Sequence, residues 1–230
     1  VLAGQVSYAI RSIDLVLEQS LDRLQDYDMS GVAAFRHVVS SRPMHEFLVD
    51  RLKRLPHADV FNIFDKDGRM AGSSRVWPAP ELNVSDRDFF AHHKARAGGA
   101  LFISEPVFSK LTGSWSMYFT WRIESASGEF LGVAVIGVLP KQFLSAYSPI
   151  ASITGASALL LRSDGVVYLR YPDAIERVGE RMPPHLEWHA IVAKGGGAYR
   201  SPGVFDNVAR QVAVRLLGEY PLVVNVALSD

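Results

Sequence analysis

The chain has 230 residues, 48% of them hydrophobic and 21% charged, a composition that suits one large globular domain or two small ones. Lysine plus arginine and aspartate plus glutamate each number 24, so the net charge is zero and no basic stripe points to nucleic acid. Cysteine is absent, which excludes a disulfide framework, a thiolate metal site and a cysteine nucleophile.

The chain begins at Val1 and contains no signal peptide and no apolar run long enough to span a bilayer. It reads as a piece of a longer protein. Leu2, Val6, Ile10, Ile13, Leu17, Leu21 and Leu24 fall three or four apart and predict one long helix with a single apolar stripe. Such a helix either packs along one side of the domain or acts as a stalk that pairs with a second copy, and the two roles are compatible. "MHEFLVDRLKRLP" predicts a second helix ending at Pro56. "DVFNIF", "DKDG" and "RMAGSS" then read as a β-hairpin, and "VWPAPELN" as a Pro-rich loop. "NVSDRDFFAHHKARAGG" predicts a short helix closed by glycines. "LFISEPVF" and "SWSMYFTWRI" predict strands, and the nearly all-apolar "GEFLGVAVIGVL" predicts a central one. "PKQFLSAYSPIASI" reads as a linking helix with proline at its start.

The order then repeats. "ASALLLRSDGVVYLRYP" is another hairpin, "PPHLEWHAIVAKGGG" a loop and short helix, and "VARQVAVRLLGEYPLVVNVAL" a further hairpin. Asp67-Gly68 and Asp164-Gly165 lie 97 apart, as do Gly98-Gly99 and Gly195-Gly196, whereas Gly128 and Gly218 lie 90 apart. Three landmarks in one order favour a duplication. The expected architecture is α+β: a long N-terminal helix followed by two similar units, each an antiparallel sheet flanked by helices. The expected divisions are 1–56 for the helical stalk and second helix, 57–150 for the first unit and 151–230 for the second.

The long leading helix, the two units, and "VSDRDFF", "LFISEPVF", "TGSWSMYFTWRI" and "GEFLGVAVIGVL" resemble the double Cache (tandem PDC-type, PAS-like) sensor domains of bacterial transmembrane receptors. The resemblance covers nearly the whole chain. It implies an extracytoplasmic, periplasmic domain held between two transmembrane helices, with the leading helix continuing from the first. It implies a small-molecule ligand in the membrane-distal unit, 57–150, and a homodimer through the N-terminal helix. The implied cytoplasmic output is first a histidine kinase, with a diguanylate cyclase or a chemotaxis receptor as alternatives. No enzymatic activity and no cofactor are expected of these residues. A ligand-free dimerisation or protein-interaction module is the competing reading.

Arg87 is the focus of the first unit. Ser85 and Asp88 form an S-x-x-D pattern that predicts a helix N-cap at Ser85, and Asp86 and Asp88 suit the positive end of the helix dipole. Arg87 opposes that dipole and should therefore have a partner. The partner is either a surface acid, Asp86, Asp88 or Glu105, or a ligand carboxylate, which matches the paired donors of a guanidinium. Amino-acid-binding members of the resembled family carry an arginine followed two and three residues later by aromatic residues. Here these are Phe89 and Phe90. Those members also hold the ligand ammonium with an aspartate in the central strand, and the matching position here is Gly137. The expected ligand is thus a small organic anion, a carboxylate without an amine.

Alternation in "SWSMYFTWRI" puts Ser114, Ser116, Tyr118, Thr120 and Arg122 on one face. That face is either solvent-facing or lines a cavity, with Ser116, Tyr118 and Thr120 offering hydroxyls to a ligand. Trp77 is either a lid or packed down. His92-His93 and His185/His189 lack an acidic third ligand in register, so no metal is expected. Asp65/Asp67 reads as a turn. Asp86, Asp88 and Glu105 have no nucleophile or base arrangement beside them, and no G-x-S-x-G, phosphate-binding loop or H-E-x-x-H occurs. The second unit, apolar in "ALLL" and "LVVNVAL", is expected to offer few convergent polar groups and to be structural.

Overall fold

A computed structural model describes residues 2–27, 31–109, 113–172 and 176–229. The leading stripe folds as expected into helix α1, Leu2–Leu24, with Val6, Ile10, Ile13, Leu17 and Leu24 buried. Helix α2, Val32–Val39, was not anticipated. It buries Phe35 and Val39. Helix α3, Arg42–Leu52, starts at Ser41, whose hydroxyl accepts from the Met44 N–H, and has proline in its first turn.

Strands β1 (Ala58–Asp65) and β2 (Met70–Ser73) form the first hairpin, followed by helix α4 (Asp88–Ala95). "LFISEPVF" yields two short strands, β3 (Phe102–Ile103) and β4 (Val107–Ser109), rather than one. Pro106 lies at the break, and proline has no N–H for a ladder. Strands β5 (Ser114–Glu124) and β6 (Phe130–Val138) complete the sheet. A 3₁₀ turn, Pro140–Tyr147, and a one-turn helix α5, Ser148–Ala151, take the place of the expected linking helix. Then come β7 (Ala156–Arg162), β8 (Val167–Tyr171), helix α6 (Glu187–Ala193), β9 (Gly196–Ser201), β10 (Arg210–Leu216) and β11 (Leu222–Ser229). Strand β9 runs through glycines expected only to close a helix.

Among the described residues the strand order is β2-β1-β6-β5-β3, with β4 also pairing β5, and then β8-β7-β11-β10-β9. The two orders are the same. Residues Ile10–Glu105 and Ser116–Leu139 form a first compact unit, which holds the first sheet apart from β4 and the first two residues of β5. A second compact unit holds the second sheet.

The duplication extends to register. Asn62 pairs with Ser73 and Leu159 with Arg170, so an offset of 97 carries one pair onto the other. The ladder slips between Ile63 and Phe64 and again between Leu160 and Leu161, positions also 97 apart. Asp65 faces Gly132 and Arg162 faces Leu222, which gives 97 on the hairpin strand and 90 on the central strand. Gly68 and Gly165 sit in the two hairpin turns with φ of +79° and +94°, a conformation glycine adopts without steric cost.

Strand β6 is buried on both faces, as its apolar run predicts. Both faces of β5 are covered as well. On one side Trp121 donates from its indole N–H to Asp14 of α1 at 2.9 Å. On the other, Ser116, Thr120 and Arg122 are buried, so this is not a solvent face. Close approach of β1 and β6 depends on Gly132, where an added Cβ would lie 2.0 Å from the Phe64 carbonyl oxygen. Gly132→Ala should therefore cost about 3 kcal/mol or more. Gly4→Ala, at an exposed position of α1 with nothing within 4 Å, should stabilise by up to about 1 kcal/mol. Urea unfolding of both variants checks the opposite signs, and an unaffected Gly132→Ala protein would refute the close-packed ladder.

Candidate functional site

Helix α4 starts two residues later than its capping pattern suggests. Arg87 is the N-cap residue, in extended conformation, and its side chain makes no cap hydrogen bond. Ser85 does not cap the helix. Its N–H donates to Asn83 Oδ1, while Asn83 Nδ2 donates to the Asp67 carbonyl. The reason is a distant competitor for Asp88. That carboxylate accepts from the Phe89 N–H at 2.7 Å and from the Glu105 N–H at 2.8 Å, pinning the first turn of α4 to the segment before β4.

The side chain of Arg87 is 38% exposed, and its Nε lies 3.7 Å from Oδ1 of Asp86, itself 77% exposed. The surface pair weighed from sequence thus exists, but it is long and wet, a geometry of little energetic weight. Phe89 and Phe90 are buried in a cluster with Phe64, Val84, Val133 and Val135. The Phe89 ring meets Tyr118 edge-on at 5.7 Å, and Phe90 meets Phe130 at 5.8 Å. Both phenylalanines are floor rather than rim.

Tyr118 is half-buried, and its ring stands over Gly137, its neighbour on β6. A Cβ at Gly137 would meet that ring at 3.2 Å and Val60 at 2.7 Å. Burial raises the Tyr118 phenol above its ordinary pKa. The Arg87 guanidinium and a hydrogen bond with Ser116 pull it down, and Asp59 and Arg75 also act on it. Asp59 and Arg75 form an ion pair of their own. The fold therefore brings Arg87, Ser116 and Tyr118 together above Phe89. Asp59 and Arg75 join them, and the sequence reading missed both. Their signal was hairpin register, since one opens β1 and the other follows β2.

Thr120 is one step along β5 and is fully committed. Its hydroxyl donates to the Phe102 carbonyl at 3.1 Å and lies 2.9 Å from Nε2 of His93. With its one proton given to Phe102, the hydroxyl accepts from His93, so neutral His93 carries its proton on Nε2. Arg122 donates to the His93 carbonyl and to Glu124. His93 is 2% exposed, and burial, then the neighbouring His92, lower its pKa to about 4. His92 stacks on Phe102, and His189 Nε2 lies 3.1 Å from the Pro183 carbonyl. Among the described residues no group of three or more His, Asp or Glu is placed to hold a metal. The Trp77 indole N–H donates to the Ser40 carbonyl at 3.0 Å, which tethers a ring that stays 46% exposed.

The second unit departs from expectation. One sheet face gathers Arg170, Asn225, Ser157, Tyr199 and Arg210, with Asp206 from the loop before β10. Each strand supplies one or two polar residues to that face, and only cross-strand register brings them together.

Scans against protein-family models and against curated proteins give no match. Solved structures do match. The extracellular domain of rpHK1S-Z16, assigned as a histidine kinase, is 27% identical with a TM-score of 0.87, covering 100% of this chain and 90% of that one. The ligand-binding domain of the Pseudomonas aeruginosa amino acid chemoreceptor PctC, in complex with GABA, has a TM-score of 0.65 at 17% identity, covering 99% of this chain and 95% of that one. That of PctB from the same organism, in complex with L-Gln, has a TM-score of 0.70 at 11% identity, covering 100% and 87%. The chain has the fold of a double Cache, tandem PDC-type, PAS-like extracytoplasmic sensor domain, and its neighbours are sensor domains rather than catalytic ones.

Neutral His93 generates a pH dependence. Its folded pKa lies below the unfolded value of 6.5, so the unfolded chain binds the extra proton as pH falls. Stability should be flat above about pH 7, fall by roughly 3 kcal/mol between pH 6.5 and 4, and lose no more from this group below that. Urea unfolding at pH 7 and 4.5 should show a clearly smaller loss in His93→Gln than in the parent, and equal losses would remove His93 from the account.

Proposed function

We propose that this chain is the ligand-sensing domain of a membrane signalling receptor, and that its first unit, membrane-distal in the receptor, binds a small organic anion through Arg87. The carrying observation is the placement of Arg87. It stands at the N-terminus of α4 with a long, solvent-exposed pair and acts electrostatically on the half-buried phenol of Tyr118. A carboxylate there would gain two parallel guanidinium donors, the α4 dipole and the Tyr118 and Ser116 hydroxyls. Thr120 supports the wall through His93, and Phe89 and Phe90 set the floor. Gly137 supplies no carboxylate for an ammonium, which favours an acid without an α-amine.

A histidine kinase is the output this reading favours, because the domain matching at 27% identity belongs to a protein assigned as one. Ligand would act by differential affinity for two arrangements of the receptor. Pairing of two chains along α1 is supported by Tyr8, 76% exposed, and Leu15, 43% exposed, one heptad apart on the helix face away from the buried stripe.

Calorimetric titration against short carboxylates and their amino counterparts tests the site. Arg87→Ala should weaken carboxylate binding by about ten- to a hundredfold, the weight of a charge-assisted contact. Amino acid binding that survived the substitution would overturn the assignment. Leu15→Glu should weaken self-association about tenfold in analytical ultracentrifugation if α1 is the dimer seam, and an unchanged association constant would move the interface elsewhere.

A further inference from the structure

The polar face of the second unit lines a partly open cavity of about 40 Å³, bordered by Arg170, Asn225, Ser157, Tyr199, Phe205 and Arg210 among others. A single water needs about 10–15 Å³ by this measure, so the space holds a few waters or one small polyatomic anion with a short tail.

Its electrostatics are asymmetric. Asp206 accepts from Arg170 Nη2 at 2.6 Å and from Arg210 Nη1 at 2.7 Å, which fixes both guanidiniums and leaves the trio with one positive charge. The Arg170 and Arg210 side chains are only 6% and 14% exposed. Two buried donors of lining residues then lack an acceptor, Asn225 Nδ2 and Arg210 Nε. The Asn225 amide cannot be turned round to cure this, because its oxygen accepts from the Trp188 indole N–H at 3.2 Å and an indole can only donate. Asn225 is 2% exposed, and a donor at that depth has no bulk water to replace the missing acceptor. Apart from Ser201, whose hydroxyl accepts from the Gly203 N–H, the rest of the lining, with Phe205, Val212, Met182 and Ala227, is apolar.

We propose that this cavity is a second ligand site, in the membrane-proximal unit, for a small monocarboxylate of the size of acetate or propionate. The carboxylate accepts from the Asn225 amide within the field of the two arginines, and the alkyl tail lies on the apolar lining. An inorganic anion would satisfy the donors and leave the apolar wall without a partner. The site shares no residue with the Arg87 site, so each can fail alone.

The test is a ¹H–¹⁵N titration of the whole chain with sodium propionate, in parent and Arg87→Ala protein. The Asn225 side-chain amide and the Trp188 indole resonance should shift saturably with a midpoint of about 1 mM or below, in both backgrounds. Asn225→Asp keeps the acceptor for Trp188 and replaces the donor with a negative charge, and should weaken the response at least about tenfold. Ala227→Val, which fills the cavity without touching the polar groups, should abolish it and guards against a fold defect in the first variant. Nitrate should bind about tenfold more weakly than propionate, for want of the tail. Resonances unmoved at about 10 mM propionate would mean the cavity holds only water, and would overturn the proposal. Equal response to nitrate would overturn the carboxylate assignment. Loss of the response in Arg87→Ala would show that it was read out from the first unit.

Discussion

Each unit is closed by one antiparallel pairing, between its first strand and its last: β1 with β6 and β7 with β11. These strands are far apart in sequence, yet they sit side by side and are buried along most of their length. Everything else hangs on them. The hairpin partners extend one edge, β5 and β10 the other, and the central strand can come close only where side chains permit, as at Gly132 under the Phe64 carbonyl. The identical slip in the two hairpins, at Ile63/Phe64 and Leu160/Leu161, shows that the constraint was copied with the sequence. A one-residue change of register would turn each apolar set outward, so register is held more tightly than residue identity.

Once a helix covers one face of such a sheet, every polar side chain on that face must be satisfied there. The first unit does this with chains of bonds. Thr120 gives its proton to Phe102 and takes one from His93, and Arg122 caps the His93 carbonyl. The second unit leaves part of the requirement open, with Asn225 Nδ2 and Arg210 Nε unpaired beside a cavity. In the second unit Asp206 holds both Arg170 and Arg210, whereas in the first Asp59 pairs with Arg75 and Asp86 lies beside Arg87. The residual positive charge belongs to the second unit, and it is not a copied motif.

Much of this was legible in the sequence, because strand alternation, glycine turns and the three- and four-residue spacing of α1 are local signals. What escaped was non-local. Ser85 has the right spacing for a cap, but Asp88 is held by the Glu105 N–H from seventeen residues away, and the helix starts at Arg87's heels instead. "LVVNVAL" reads as apolar because only one of its residues is polar. Pairing places Asn225 beside Leu159 and thus in line with Arg170, two strands away. A polar cluster assembled from one residue per strand has no sequence signature until the register is known.

Packing on the central strand also bears on what the first unit can discriminate. An ammonium in the site proposed for Arg87 would need an acid opposite, and Gly137 is the central-strand position that faces Tyr118. Tyr118 already uses that space: its ring lies 3.2 Å from where a Cβ would stand, with Val60 closer still on the other side. An aspartate at 137 would have to displace both neighbours and would bury its charge against the phenol of Tyr118, whose neutral form burial already favours. Glycine and tyrosine therefore act as a pair. The ring fills the space an amine-binding acid would occupy and presents its hydroxyl to the Arg87 side. In the site proposed for Arg87, preference for an acid over an amino acid would then follow from packing, because a change that admits an amine must first move the Tyr118 ring.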